Sequence, residues 1–296
     1  MVGFGQLAVT RGRLGEPARG VDSLRLSDLR LRTPAEDLNR PHRADCHLLS
    51  LVSAGHGSHS IDFVRYPCRP GTVLWVRPGQ VHQFGRENSL DATLLLFSAR
   101  FLPSLPGLEM LLDDPSAPVC WQPAGEDQDA ILTEVTQIAT DCARYATTHD
   151  LVAVELLRHQ LAVLLMRVVA LQQQAAKPPA AGGEVMTAFR KEIEGSFATT
   201  RRVEDYAERL GCSVRTLTRA CLAATGRSAK QVIDDRVTLE AKRLLAHTDL
   251  PVASIGSKLG FTEATNFGRF FMRETGQTPG EFRVSTSTGD RDHATS

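Results

Sequence analysis

The six cysteines of this 296-residue chain (Cys46, Cys68, Cys120, Cys142, Cys212, Cys221) include no CxxC pair. Without such spacing neither a disulfide framework nor a cysteine zinc site is encoded, and the thiols fit a reducing compartment. The nine histidines include no HxH pair: His56 and His59 stand three apart in GHGSH, and the SIDFVRY that follows carries no glutamate. That removes the usual pattern of a multi-histidine metal centre. The longest strongly apolar stretch, LAVLLMRVVAL at 161–171, is too short to span a bilayer and is broken by Arg167. The opening MVGFGQLAVTRGRLGEPARG holds no apolar run of signal-peptide length, so the sequence predicts a cytoplasmic protein without membrane contact. Net charge is lacking too, because 34 Lys and Arg balance 34 Asp and Glu.

That balance hides an asymmetry. Residues 184–283 carry 16 basic and 13 acidic side chains, a surplus of three, whereas residues 1–183 carry 17 and 19. The chain is longer than the ~250 residues at which single cores stop growing, so two domains are expected. QQQAAKPPAAGG at 172–183 is polar, small and rich in proline and glycine, which suits a linker between them.

Ahead of the linker, CHLLSLVSAGHG, HSIDFVRY, GTVLWVRPGQVHQF and ATLLLFSARF are short β-rich runs bounded by Gly, Pro and Asn, within a region of about 20–120. Closely spaced short strands predict a small barrel or sandwich. From about 127 to 171 the pattern turns helical. Leu151, Val154, Leu157, Leu161, Leu164, Val168 and Leu171 recur at threes and fours, a seam suited to a partner helix. A homodimer through helix 150–171 is therefore expected.

Beyond the linker the sequence repeats itself. VEDYAERLGCSVRTLTRACLAATG (203–226) aligns with VASIGSKLGFTEATNFGRFFMRETG (252–276), the second copy longer by one residue near Thr262 and Glu263. A small residue (Ala207, Gly256) stands four positions before a glycine (Gly211, Gly260) in each copy. This is the chemistry of a helix-turn-helix: close helix approach and a turn with left-handed backbone. Ser213 and Thr262 stand where a hydroxyl can cap the second helix, and Gly226 and Gly276 where that helix ends. On the helical wheel Thr262, Thr265, Asn266, Arg269 and Arg273 share one arc, with Ala264, Phe267, Phe270 and Phe271 largely opposite. In the first copy Arg215, Thr218 and Arg219 point outward, and Val214, Leu217 and Cys221 inward. Arg, Asn and Thr on an exposed helix face are suited to the DNA major groove. Between the copies, SAKQVIDDRVTLEAKRLLAHTDLP (228–251) reads as one helix, able to hold two recognition helices about one DNA turn apart.

Residues 184–284, and GFTEATNFGRFFMRETGQTPGEFR above all, resemble the DNA-binding domain of the AraC/XylS family of bacterial transcription regulators. CRPGTVLWVRPGQVHQFGRE (68–87) resembles that family's effector domain. The resemblance implies an α+β chain of two domains. A cupin-like β-barrel with C-terminal dimerisation helices (1–171) would precede an all-α domain of two helix-turn-helix units and a linker helix, ending in a tail at 285–296. It implies a sequence-specific activator without enzymatic activity or cofactor, acting on operator DNA with RNA polymerase. Its base-facing positions fall on Arg215, Thr218 and Arg219 in the first unit and on Ala264, Thr265, Gly268 and Arg269 in the second. Thr265, Asn266 and Arg269 are expected to position the second unit, with Ser213 and Thr262 at the helix starts. A small-molecule effector is expected inside the barrel, against His42, Trp75, His82 and Phe84. Two other readings compete: a cupin-type metal enzyme, and a helical module that binds protein.

Overall fold

The computed structural model describes residues 17, 19–85, 89–104, 112, 117–147, 150–175 and 183–288. The chain divides into two compact units, 1–176 and 177–296.

In the first unit nine strands among the described residues form two antiparallel sheets. One holds β1 (Val21–Arg25), β8 (Asp91–Phe97), β3 (His47–Ala54), β6 (Val73–Val76) and β9 (Cys120–Trp121), in that order. The other holds β2 (His42–Arg43), β7 (Val81–Phe84), β4 (Gly57–Ile61) and β5 (Val64–Cys68). Short helices α1 (Leu26–Arg32) and α2 (Ala35–Leu38) join β1 to β2. The expected barrel is therefore two facing sheets, with no ladder closing them among the described residues. Two long helices follow, α3 (Glu126–Arg144) and α4 (Leu151–Ala175), so helix continues past Leu171 into the expected linker, and 176–182 lie outside the described residues.

Strand β3 explains the layering. Its HLLSLV run is buried on both faces. Leu49 and Leu51 join Ile131, Val135 and Ile138 of α3 and Leu161, Leu164 and Val168 of α4. Leu48 and Val52 join Ile61, Cys68 and Phe84 of the other sheet. Helices thus cover one face of the larger sheet, and the smaller sheet covers the other. The expected dimer seam is mostly taken up by this packing: Leu157, Leu161, Leu164 and Val168 lie in the unit's own core. An intramolecular sheet face competes for the same apolar stripe, and it wins.

HSIDFVRY, expected as one strand, is a hairpin. Asp62 and Phe63 form its turn with φ of 48° and 69°, the geometry of a two-residue turn that usually recruits Asn or Gly. The Asp62 carboxylate holds it, accepting from Val81 N at 3.1 Å and Gln80 Nε2 at 2.8 Å.

The second unit is helical: α5 (Gly183–Ser196), α6 (Val203–Arg209), α7 (Val214–Thr225), α8 (Ala229–His247), α9 (Val252–Lys258), α10 (Ala264–Thr275) and α11 (Pro279–Thr288). Residues 289–296 of the expected tail lie outside the described residues. One core gathers Phe189, Tyr206, Leu217, Ile233, Val237, Ile255, Phe267 and Phe271, so both helix-turn-helix units close onto α8. Pro279 does not merely stop α10; it opens α11, as a first-turn proline can. The duplication also runs further than 226 and 276. In TGRSAKQ the Ser228 and Gln231 side chains cap α8 reciprocally. In TGQTPGE, Thr278 N donates to Glu281 Oε2 at 2.8 Å while Glu281 N donates to Thr278 Oγ1 at 3.2 Å.

Candidate nucleic-acid interface

Both turns are built by the same hydrogen bonds. In the first, Gly211 N donates to Glu208 O and Cys212 N to Ala207 O; in the second, Gly260 N donates to Ser257 O and Phe261 N to Gly256 O. Gly211 and Gly260 carry φ of 61° and 76°, in the left-handed region that glycine enters without steric cost. α7 and α10 end alike on the left-handed Gly226 and Gly276.

The apolar faces behave as the wheel predicts, with Leu217, Cys221, Phe267 and Phe271 fully buried and Phe270 nearly so. Val214 and Ala264 are the exceptions. Val214 is 38% exposed and Ala264 is exposed too, because each sits in the first turn of its helix, before that helix meets the core. On the polar faces, Ser213, Arg215, Arg219, Thr262, Thr265, Asn266 and Arg269 are exposed and Thr218 is half-buried.

Caps distinguish the two helices. Ser213 caps α7, its hydroxyl accepting from Thr216 N at 3.1 Å. Thr262 does not cap α10: the residue inserted there makes Glu263 the N-cap, and it forms no side-chain cap bond. Arg273 also departs from expectation. It reaches back to Asp234 of α8 at 3.5 Å and to Glu274 at 2.7 Å.

Ion pairs tie up most of the other arginines of this unit. Arg202, Arg209, Arg227, Arg236, Arg243 and Arg273 of this unit each make an ion pair. Arg215, Arg219 and Arg269 have no hydrogen-bond or ion-pair partner among the described residues. Three exposed, uncompensated guanidiniums on two helices are poised for an anionic partner.

In the first unit the expected effector residues separate. His42 and His82 are register partners on β2 and β7, their rings 5.9 Å apart, and Phe84 lies 5.8 Å from His82. All three are buried among residues between the sheets. Trp75 is not with them. Alternation along β6 turns Trp75 to the helix-covered face, where its Nε1 donates to His47 Nδ1 at 3.2 Å. His59 takes its place beside the pair, 3.2 Å from His82 Nδ1 through Nε2 and 4.5 Å from the Phe84 ring. Period-two alternation from Ile61 could have shown that His59 faces inward.

The His59 and His82 imidazoles are neutral at physiological pH. Burial, then the neighbouring His42, pushes His59 down to about 3; burial, then His59 and His42, holds His82 well below the ordinary value. His42 Nε2 approaches Leu38 O at 3.3 Å and must donate there, because a carbonyl oxygen only accepts. His42 Nδ1 and His82 Nε2 are buried without a hydrogen-bond partner. Among the described residues no group of three or more His, Cys, Asp or Glu is arranged to hold a metal ion, and no helix is long and apolar enough to cross a membrane.

Comparison with known proteins is consistent across both units. The AraC-like ligand binding domain model matches residues 29–177, and a helix-turn-helix domain model matches 206–285. The HTH-type transcriptional activator RhaS of Salmonella arizonae is 30% identical over 249 residues, covering 82% of this chain and 86% of that protein. RhaS of Enterobacter sp. (strain 638) is 29% identical over 252 residues with the same coverage. Among solved structures, ToxT from Vibrio cholerae O395 aligns at 11% identity with a TM-score of 0.45, covering 91% of this chain and 98% of that one.

Proposed function

The chain belongs to the AraC family of DNA-binding transcription regulators, and from that premise we propose that it is an activator whose first recognition helix carries most of the sequence reading. The carrying observation is the pair of duplicated recognition helices with unpaired arginines on their exposed faces, beside a unit whose other arginines are largely paired. In this reading Arg215 and Arg219 of α7 address base edges and Thr218 supports them. Thr265, Asn266 and Arg269 of α10 hold the second unit on the duplex, with Ser213 and Thr262 near the backbone at the helix starts. RNA polymerase is the protein partner this role requires, the cytoplasm is its compartment, and no catalytic turnover is assigned.

A second copy of the chain completes the regulator. The outer face of α4 carries Val152, Leu156, His159, Val163, Met166 and Ala170, all exposed, at intervals of 4, 3, 4, 3 and 4. Because these intervals read the same in both directions, the stripe can pair antiparallel with itself about position 161. Leu156 then faces Met166, and Glu155 faces Arg167, a charge match suited to a two-fold contact. This is the opposite face of the helix from the seam at Leu157, Leu161, Leu164 and Val168.

A small molecule between the two sheets is supported by the orphaned nitrogens of His42 and His82. Such a ligand offers a polar group to His42 Nδ1 and packs on Phe84.

Selection of duplexes from random DNA by the full chain, followed by affinity measurements against salt, tests the reading. The expected outcome is an enriched two-part site with affinity falling steeply as salt rises. Enrichment of no sequence, together with salt-insensitive binding to a protein partner, would overturn it.

A further inference from the structure

The turn between α5 and α6 does more than start the first helix-turn-helix. Tyr206 Oη donates to Thr200 O at 3.0 Å, and the Thr200 hydroxyl bonds the Asp205 carboxylate, which ties this turn to α6. The same turn touches the second copy. A Cβ added to Gly260 would stand 2.2 Å from Ala198 O. The Arg201 guanidinium lies 3.7 Å from the centre of the Phe261 ring, and its Nη2 donates to Gly260 O at 3.5 Å.

Asp234 of the linking helix α8 lies beside this contact. Its side chain is 8% exposed; it accepts from Lys230 one turn away and from Arg273 Nη2 of α10 at 3.5 Å. Arg273 also covers the Phe270 ring at 5.2 Å. Burial lowers the Arg201 pKa, Asp234 raises it and Arg273 lowers it, so the three charges lie within electrostatic reach of one another. A nearly buried carboxylate with cationic partners is costly to leave half-compensated. A single helix joining two readers would tolerate bending and twisting. Contacts from a second element restrict both.

We propose that Arg201, Asp234 and Arg273 form a clamp between the two helix-turn-helix units, fixing the phase of α10 relative to α7 and hence the spacing between the two parts of the DNA site. They are positioning residues, acting through the placement of α10 rather than on bases. The proposal rests on the DNA-binding reading above.

The test uses the full chain and a duplex that it enriches from random DNA, together with derivatives lengthened or shortened by one or two base pairs between the two parts. One base pair turns the second part by roughly a tenth of a helical turn, so the wild-type chain should lose about tenfold in affinity per step. Arg273→Ala, at a side chain 62% exposed, is the variant expected to fold without difficulty. Asp234→Asn and Arg201→Ala are its companions, and Asp234→Glu is the rescue. In the first three, affinity at the selected spacing should fall about fivefold and the penalty per step should shrink below about threefold, with an unchanged salt slope, while Asp234→Glu keeps the wild-type penalty. If Arg273→Ala weakens every spacing equally, or lowers the salt slope by about one, Arg273 is a phosphate contact and the clamp is overturned. If the wild-type chain enriches no duplex, the DNA-binding reading fails and takes the clamp with it. A spacing penalty that persists in all three variants overturns the clamp alone.

Discussion

The two helix-turn-helix copies share a backbone and differ in what surrounds it. Both turn on a left-handed glycine with matching hydrogen bonds, and both recognition helices end on another. Yet space around Gly211 is open, whereas Gly260 is pressed against Ala198 O. Ala207 fits a methyl group between the helices of the first copy, while Gly256 of the second has Phe267 Cβ 3.0 Å from where a Cβ would stand. The first copy caps its recognition helix with Ser213, and the second leaves Glu263 without a cap bond. The turn of the first copy is thus free of neighbours, and that of the second is embedded among Ala198, Arg201 and Asp234. Much of the signature at 260–283 answers packing demands: Gly260 is pressed against Ala198 O, and Phe267, Phe270 and Phe271 are buried.

The largest expected effect probes that embedding. Gly260→Ala must strain the left-handed backbone and also displace Ala198, and is expected to cost about 3 kcal/mol or more of stability. Gly211→Ala meets only the backbone term, about 1–2 kcal/mol. Urea unfolding of the two variants measures the difference; equal losses would mean that the copies are equally free.

On DNA the order reverses. Arg219→Ala should lose about 1–3 kcal/mol on the selected duplex and relax one base position, while Arg269→Ala should weaken all sequences alike and lower the salt slope by about one. Equal loss of base preference in both variants would make α10 a full reader. Binding isotherms on the selected duplex and on single-base variants distinguish the two.

The copies were readable from sequence because their determinants are local. A glycine at a turn, an apolar period and a run of Thr, Asn and Arg each act within about four residues along a helix. What surrounds them was not readable. Arg273 lies on the same wheel arc as Arg269, and only the fold brings Asp234, 39 residues away, within 3.5 Å of it. The first unit teaches the same lesson. Short strands were visible between 46 and 101, but not the Asp62–Phe63 turn, whose left-handed residues are held by contacts to Gln80 and Val81. His42, His82 and Phe84 came together, while Trp75 went to the helix-covered face because β6 alternates. The apolar seam of α4 was seen, and its partner was the chain's own sheet.

A smaller contrast comes from the caps. Ser213→Ala removes the acceptor of Thr216 N and should cost about 1 kcal/mol, as N-cap losses do. Thr262→Ala, one residue outside α10's own cap, should cost almost nothing. Thermal melts of the pair check this, and a matching loss at Thr262 would place the start of α10 one residue earlier.

The smallest effect is the most telling about reading. Gly268 occupies the place of Thr218, and a Cβ there would meet nothing within 4 Å. In mid-helix, Gly268→Ala should stabilise the domain by about 0.5–1 kcal/mol through helix propensity. Neither a clash nor a lost partner in the protein opposes that gain, so the effect on DNA reports the DNA side alone. If α10 serves mainly to hold the backbone, affinity for the selected duplex stays within about twofold, less than half a kcal/mol. A loss of tenfold or more beside a raised melting temperature would mean that the glycine admits DNA to within a methyl group of the helix. The second copy would then read by close approach, with the missing side chain as its means of doing so.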